Sequence, residues 1–325
     1  MTFSPGSQTP VSLSHLGDGR WSGTWQVQGT PGALTATVTA DDAVQNLQGA
    51  LVLNAEVQAT DGVPSIANGG VVSAASFAGE APLAPGSLFA AFGTRLADGT
   101  NTPNGFPLPT LLGATRVAIG GRETPLFYAG PSGGGTQVNG ILPYTLLPNT
   151  SYQMSVRRGN RRSNYAEVTL GAAQPSVFTL NLSGTGQGIV VDGTRPTVVV
   201  DAANPIERGG VVVIYVEGLG AVNRAVNAGE PAPSGPLAEA VAQVSASIGG
   251  QDAQILFAGL TPFFTGLYQI NAVVPQTVTP GNAVQLVVTA GGQPSPPVTI
   301  TTSERSRAVR SVSTIRSWLS PTTVW

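Results

Sequence analysis

The sequence predicts an all-β protein in which a short β-rich segment precedes two tandem β-sandwiches. The first observation is an internal repeat, because residues 119–130 recur 129 positions later as residues 248–259, and each copy is followed by a Gln-aliphatic-Asn-x-x-x-Pro segment. A repeat of that length gives each copy enough chain to bury a core of its own. The second observation is the presence of 42 glycines and 26 prolines among 325 residues, which predicts many turns. The third is the near absence of helical periodicity.

Residues 1–66 are expected to form the β-rich segment, as part of a truncated domain. Strands are predicted at 33–40 and 50–57, and Trp21 and Trp25 are assigned to a further short strand. Three or four strands make a sheet of marginal stability. The segment is therefore either the tail of a truncated sandwich or an addition to the first repeat, and a turn at 61–64 leads onward.

The first sandwich is predicted over residues 67–180. Strands are expected at 87–92, 115–119, 124–128, 151–157 and 165–170. Gly120 and Gly121 are expected to form a tight primed turn, which requires positive φ at both positions. A linker at 181–195 is then expected to lead into the second sandwich.

The second sandwich is predicted over residues 196–302. Its strands are expected at 211–216, 244–248, 253–257, 268–274, 284–289 and 298–301. Residues 237–241 are the one stretch that suits a helical turn. The last residues, 303–325, are expected to be a dispensable tail, and the competing interpretation is a short amphipathic helix that docks elsewhere.

Composition excludes several functional classes. Only 10% of the residues are charged and the net charge is −2, which argues against a general nucleic-acid binder, because phosphate binding requires an electropositive face. The absence of cysteine removes disulfides, thiolate catalysis and cysteine-based zinc sites. No apolar run approaches the roughly 18 residues of a membrane helix. We therefore expect no nucleic-acid partner and no membrane insertion.

A set of motifs occurs in order along residues 68–302 and resembles a known family. The motifs are VVSAASF at 71–77, LAPGSL at 83–88, FGTRL at 92–96, FYAG at 127–130, QVN at 137–139, PY at 143–144, ANP at 203–205, YVEGLG at 215–220, FAGL at 257–260 and GLYQIN at 266–271. Together they closely resemble the Solibacter-type uncharacterised C-terminal domain, which ends many large secreted bacterial proteins. Ser73 departs from that family's pattern, which usually has Asn at this position.

The resemblance implies a fold and a role. Members of this family are similar to tandem IPT/TIG-type immunoglobulin-like sandwiches, and no catalytic residues carry over from them. The expected function is a non-catalytic structural or adhesive module of a larger exported bacterial protein, located outside the cell or at its surface. Its expected partners are the upstream domains of the parent chain and a cell-surface protein or glycan. No signal peptide is visible in this sequence, so the export signal is expected upstream. The alternative is a carbohydrate-binding module appended to a glycan-active enzyme.

The residues themselves predict no catalytic site, no cofactor and no metal. The single histidine, His15, lies in a polar segment, which argues against a Ser-His-Asp triad or a multi-histidine metal site. The Gly-rich stretch 130–135 lacks the helix and the lysine of a phosphate-binding loop. Asp41, Asp42 and Asp61 are the best group for calcium. A calcium site gathers about six to eight oxygens, however, so solvated turn residues are the favoured interpretation.

Two kinds of residue remain as candidates for recognition. One kind is a repeated polar pair, Gln137/Asn139 and Gln269/Asn271, whose members lie two apart on a predicted strand and hence on one face. The competing roles for each pair are contact with a sugar or peptide ligand and hydrogen bonding to the backbone of a neighbouring loop. Their duplication favours the structural role.

The second kind is aromatic. Phe263, Phe264 and Tyr268 form the one cluster that suits a sugar-stacking platform, and core packing is the competing interpretation. Trp21 and Trp25 are a second candidate platform.

Overall fold

The protein is all-β, as predicted. The computed structural model describes residues 1–4, 11–15, 19–23, 25, 31–42, 44–57, 62–79 and 81–304. Within these residues every regular element is a β-strand, and the strands form two tandem immunoglobulin-like sandwiches preceded by a short β-rich segment. None of the described residues belongs to a helix with the length and apolar character needed to cross a lipid bilayer.

The β-rich segment contains a small amphipathic sheet. Its strands are β1 (Thr2–Ser4), β2 (Ser14–His15), β3 (Trp21–Ser22), β4 (Gly32–Asp42) and β5 (Leu47–Val57). The sheet order is β1-β4-β5, and β2 pairs with β3. Phe3 lies beside Ala36, and Ala36 lies beside Leu53, so one face of the sheet is apolar. That face is only partly covered, because Leu51 and Leu53 remain 57% and 47% exposed.

The first sandwich packs two antiparallel layers against each other. Its described strands are β6 (Ser65–Ser73), β7 (Leu88–Thr94), β8 (Thr115–Ile119), β9 (Arg122–Glu123), β10 (Leu126–Ser132), β11 (Gly135–Ile141), β12 (Thr150–Arg158), β13 (Arg161–Arg162) and β14 (Ala166–Leu170). One layer has the order β10-β11-β7-β6, and the other has the order β13-β12-β8-β9 with β14 also paired to β12. The core between the layers includes Phe89, Leu126 and Met154, all fully buried.

The second sandwich forms one continuous hydrogen-bonded sheet that folds over on itself. Its described strands are β15 (Ser176–Val177), β16 (Val190–Asp192), β17 (Arg195–Val199), β18 (Ile206–Glu207), β19 (Val211–Glu217), β20 (Val244–Ile248), β21 (Gln251–Leu260), β22 (Tyr268–Val273), β23 (Gly281–Ala290), β24 (Gln293–Pro294) and β25 (Val298–Ser303). Strand β21 pairs first with β20 and then with β22, so it passes from one layer to the other. Strand β16 lies within 181–195, where the sequence predicts a linker, and it pairs with β19.

The Gly-Gly turns form at equivalent places in both sandwiches. Ile119 pairs with Arg122, which leaves Gly120 and Gly121 as a two-residue loop with φ of 54° and 72°. Ile248 pairs with Gln251 in the same way, and the two loop glycines there have φ of 59° and 75°. Positive φ at both loop positions is the requirement of the primed turn that matches the twist of the flanking strands.

The two copies differ where one proline replaces a glutamine. Pro125 aligns with Gln254, and the strand of the first sandwich is interrupted there into β9 and β10, whereas β21 runs unbroken. A proline has no N–H to give to a ladder, so it ends a strand at an interior position. Both copies then show a register shift at the same place, between Leu126 and Tyr128 and between Ile255 and Phe257.

Two further expectations concern residues 237–241 and the end of the chain. Residues 237–241 form no helical turn, because Ala240 bridges to Val222 and Glu239 bridges to Gly259. These bridges give the backbone partners across the sheet in place of a helical turn. Of the predicted tail, only Ser303 and Glu304 are described, and Glu304 pairs with Arg208. The alternatives for 305–325 lie outside the described residues.

Candidate functional site

The junction between the sandwiches is built around a buried carboxylate. Glu217 ends β19 of the second sandwich and is 1% exposed. One of its oxygens accepts a hydrogen bond from the hydroxyl of Ser73, and the other accepts the backbone N–H of Leu88 at 2.9 Å. Ser73 and Leu88 both belong to the first sandwich, at the end of β6 and the start of β7. One acidic side chain therefore joins two strands of the first sandwich to the end of a strand of the second.

Burial dominates the electrostatics of this junction. It raises the pKa of Glu217 to about 7, although the hydrogen bonds from Ser73 and from the backbone amides of Ala75, Leu88 and Ala74 lower it. These donors carry no net charge, so they offset only part of the cost of removing a carboxylate from water. The hydroxyl of Ser73 also accepts the N–H groups of Ala75 and Ser76, which fixes the turn that follows β6.

Two tyrosines extend the same junction. Tyr268 is fully buried, and its hydroxyl donates to the carbonyl of Gly220 at 2.5 Å. Tyr144 of the first sandwich packs against the core of the second. Burial raises the pKa of Tyr144, which a hydrogen bond with Tyr268 partly offsets, and burial raises the pKa of Tyr268 well above its usual value. Neither phenol therefore ionises near neutral pH.

Glycine permits the close approach of these groups. Gly86 has a φ of 81°, and a Cβ there would overlap the ring of Tyr144. Gly266 has a φ of 68°, and a Cβ there would lie 2.7 Å from side-chain carbons of Ile141 and Leu88 in the first sandwich. A side chain at Gly266 would therefore push the sandwiches apart, and one at Gly86 would displace Tyr144, which packs against the core of the second sandwich.

Phe263 and Phe264 lie elsewhere, on a loop of the second sandwich that we call the aromatic loop (residues 261–266). Their side chains are 69% and 52% exposed. Tyr268, which the sequence groups with them, is buried at the junction, so the structure does not bring the three rings together on the surface. Of these three aromatic candidates, Phe263 and Phe264 are the exposed ones.

The aromatic loop is fixed by a second loop, the proline loop (residues 224–233). Phe263 donates its N–H to the carbonyl of Ala232 at 2.9 Å, and Ala232 donates its N–H to the carbonyl of Phe264 at 2.7 Å. Gly229 donates to the hydroxyl of Thr265 at 3.2 Å, and its carbonyl accepts the N–H of Leu108 from the first sandwich at 2.8 Å. Both loops are therefore held in place by backbone hydrogen bonds.

A groove of about 260 Å³ opens along the proline loop. Pro231 and Pro233, on either side of Ala232, form part of its wall. Its polar lining includes Arg224, Asn227 and Glu230. The amide of Asn227 donates to the carboxylate of Glu230 at 3.0 Å. Ala232 hydrogen-bonds with both phenylalanines and lies between two residues of the groove wall, so the aromatic loop is adjacent to the groove.

A second groove, of about 330 Å³, lies in the first sandwich between its edge strands β6 and β14. It is lined by Asn68, Tyr165 and Glu167 among others. Tyr165 is 46% exposed, and its hydroxyl accepts a hydrogen bond from Arg162 at 3.1 Å. This groove therefore has one aromatic ring in its own lining, whereas the two exposed phenylalanines lie on a loop next to the first groove.

The repeated Gln/Asn pairs bond within themselves. The side-chain amide of Gln137 donates to the Oδ1 of Asn139 at 2.6 Å, and that of Gln269 donates to the Oδ1 of Asn271 at 3.1 Å. Gln137 lies opposite Gly130, and Gln269 lies opposite Gly259, so the pairs occupy equivalent positions. All four side chains are half-buried. This arrangement suits a role in the sheet.

The remaining candidates are separate from these sites. Trp25 stacks on Phe3 with ring centroids 3.9 Å apart, while Trp21 lies 4.9 Å from the ring of His15. The two tryptophans thus contact different partners. Oδ1 of Asp42 accepts the N–H groups of Val44 and Gln45 in a turn. Asp61 lies outside the described residues, among which no three acidic or histidine side chains gather to hold a metal ion.

The comparisons with known proteins give weak structural likenesses only. No family model and no curated protein matches the sequence. The chain is similar to the SGBP-B protein of the Bacteroides ovatus mixed-linkage glucan utilization locus, at 13% identity and a TM-score of 0.31, over 84% of this chain and 53% of that one. It is similar to the I9–I11 tandem of titin, at 12% identity and a TM-score of 0.20, over 92% of this chain and 89% of that one. It is also similar to domains 5–6 of the S-layer protein SbsC, at 12% identity and a TM-score of 0.24, over 75% of this chain and all of that one. At these TM-scores the likenesses support no functional assignment.

Sequence reasoning missed the role of Glu217 and of the proline loop. Glu217 stands in the YVEGLG motif at 215–220, where an acidic residue ends an apolar strand. A charged residue continuing a buried strand is a signal for a partner, since buried charges require hydrogen bonds. The sequence alone does not say that the partner is Ser73, 144 residues away.

Proposed function

We propose that this chain is a non-catalytic structural or adhesive module of a larger exported bacterial protein, in which the two sandwiches act as one stiff spacer. The observation that carries the proposal is the hydrogen bonding of Glu217 to Ser73 and Leu88 across the junction. Moving the sandwiches apart would break both of these hydrogen bonds and would expose the side chain of Tyr144, which packs against the core of the second sandwich.

The short connection between the sandwiches supports stiffness. Five residues, 171–175, separate β14 from β15. Within them, Gln174 donates its N–H to the carbonyl of Gly218 at 2.8 Å, and β15 then pairs with β19. The connection is thus hydrogen-bonded to the second sandwich, whereas a flexible linker would leave most of these groups in solvent.

The non-catalytic part of the proposal rests on the chemistry of the described residues. Glu217 is the described carboxyl with a strongly raised pKa, and it is buried at the junction, where a substrate would have to separate the sandwiches to reach it. A raised pKa in a packed junction fits a structural carboxyl as well as a catalytic one. The single histidine of the chain, His15, is exposed and contacts Trp21.

We also propose that the chain belongs to the Solibacter-type C-terminal domain family. The motifs that carry the resemblance include several residues that meet at the junction, namely Ser73, Gly86, Leu88, Tyr144, Glu217, Gly266 and Tyr268. Several of the separate motifs therefore share a structural role, which is to form the junction between the sandwiches. An extracellular or cell-surface location, with the upstream domains of the parent chain as partners, is part of the same proposal.

A distance measurement between the sandwiches tests stiffness. The chain has no cysteine, so Asn160→Cys in the first sandwich and Ala283→Cys in the second place two spin labels at exposed positions of an unaltered background. We expect one narrow distance distribution by double electron–electron resonance. Adding Glu217→Ala should broaden it. A broad distribution in the chain with native Glu217 would contradict the stiff spacer.

A further inference from the structure

Two adjacent phenylalanines are held in solvent on the aromatic loop. Phe263 and Phe264 are 69% and 52% exposed. Each large apolar side chain left in water forgoes the favourable free energy of burial, and contiguous exposed apolar surface is typical of binding sites. Phe263 also has a φ of 68°, which is rare for a bulky residue and unfavourable for its backbone. An unfavourable backbone conformation and exposed apolar side chains therefore occur at the same place in the fold.

The backbone that carries the two rings is held by hydrogen bonds. The backbone of Phe263 and Phe264 makes reciprocal hydrogen bonds with Ala232, and Phe264 also donates to the carbonyl of Thr261 at 3.2 Å. The proline loop that carries Ala232 is in turn bonded to Leu108 of the first sandwich. A surface ordered before binding loses little conformational entropy when a ligand arrives, which favours affinity.

The neighbouring groove supplies polar groups of both kinds. Arg224 offers N–H donors, Glu230 offers acceptors, and Asn227 offers both. One positive and one negative charge leave no strong net preference for a charged ligand. Polyhydroxylated molecules use donors and acceptors equally well, because each hydroxyl is itself a donor and an acceptor.

From these three features we propose that the aromatic loop and the groove of the proline loop form a binding site for a neutral oligosaccharide. The rings of Phe263 and Phe264 would stack on the apolar faces of successive sugar rings, while Arg224, Asn227 and Glu230 bond hydroxyl groups in the groove. This inference rests on the adhesive part of the proposed function. It fails separately from the stiff spacer, because none of these side chains takes part in the Glu217 junction.

The test uses the whole chain and a panel of neutral hexasaccharides, namely cellohexaose, xylohexaose, mannohexaose and chitohexaose. We expect at least one to bind in isothermal titration calorimetry. The double variant Phe263→Ala/Phe264→Ala should raise its Kd about tenfold or more. Because both rings are exposed, the variant should melt at the temperature of the native chain. Asn227→Ala should weaken binding to a smaller extent.

Two matched variants make the result specific. Phe263→Leu/Phe264→Leu keeps apolar side chains but removes the flat rings, and it should lose binding as the alanine variant does. Tyr165→Ala removes the exposed ring of the other polar groove, and it should bind as the native chain does. The proposal is overturned if no panel member binds, if the alanine double variant retains native affinity, or if only Tyr165→Ala loses it.

Discussion

The hydroxyl of Ser73 donates a hydrogen bond to the carboxylate of Glu217 across the junction of the two sandwiches. The other carboxylate oxygen accepts the N–H of Leu88, so both oxygens are bonded to the first sandwich while Glu217 itself ends a strand of the second. The side chain is fully buried, and its donors carry no net charge. Stability at the junction should therefore depend on protonation and on the presence of the serine hydroxyl.

Protonation of Glu217 should make the chain more stable in mild acid. Burial raises the pKa of Glu217 from its ordinary value of 4.5 to about 7 in the folded state, so the folded state binds more protons than the unfolded state between these values. The stabilising contribution is fully present below pH 4.5 and is lost as pH rises through 7. The free energy of unfolding should change by about 3 kcal/mol over this window.

Urea unfolding at pH 4, 5, 6, 7 and 8 measures this dependence, with Glu217→Gln as the variant that cannot titrate. The free energy of unfolding of the native chain, relative to that of the Glu217→Gln variant, should fall by the predicted amount as the pH rises. The exposed Glu239→Gln provides a control that should track the native chain at every pH. A difference that stays constant across the window would mean that Glu217 titrates normally.

Ser73→Ala should destabilise the chain by about 1–3 kcal/mol, because it leaves a buried carboxylate oxygen without its hydroxyl donor and removes the acceptor of two backbone N–H groups. Urea unfolding at pH 7 measures the loss. Ser245→Ala, at an exposed position of β20, should change stability by no more than about 0.5 kcal/mol. Equal effects of the two substitutions would show that the hydrogen bond from Ser73 to Glu217 does not stabilise the chain.

Asn271→Ala should cost about 0.5–1.5 kcal/mol, because its Oδ1 accepts a single side-chain hydrogen bond from Gln269 in a half-buried place. Gln269→Ala should lose a similar amount. The double variant should lose less than the sum of the two, since both single changes break one interaction. Strict additivity in this thermodynamic cycle would show that the amides do not support each other.

Gly249→Ala should destabilise the second sandwich more than Gly250→Ala does. Both glycines have positive φ, at 59° and 75°, so both substitutions carry a backbone cost of about 1 kcal/mol or more. A Cβ at Gly249 would also overlap the side chain of Val278, whereas a Cβ at Gly250 meets open space. Thermal melts of the two variants measure the difference, and equal melting temperatures would contradict the packing argument.

Local signals in the sequence were enough for most of the fold. The Gly-Gly pairs predicted both tight hairpins, because positive φ at two successive positions is a local property of the chain. Alternating apolar residues predicted β20 with its observed bounds. The strand β16 inside 181–195 was missed, because its few residues gain stability only by pairing with β19.

The candidate site was only partly accessible to the same reasoning. Phe263 and Phe264 could be selected as aromatic residues in a loop, but Tyr268 was grouped with them because it is near in sequence. Its burial follows from contact with Tyr144 and Gly220, which are distant in the chain. The pairing of Ser73 with Glu217 depends in the same way on how two separately folded units meet, which no local pattern encodes.

The unbroken strand β21 makes the two sandwiches differ in how their layers separate during unfolding. In the second sandwich, separating the layers requires breaking ladder hydrogen bonds along β21, so its amide protons should exchange with solvent only when the whole unit unfolds. In the first, the ladder is interrupted at Pro125, and the two layers can open there without that loss. The first sandwich should therefore have the lower barrier to opening, and its lifetime would set how long the chain resists proteases.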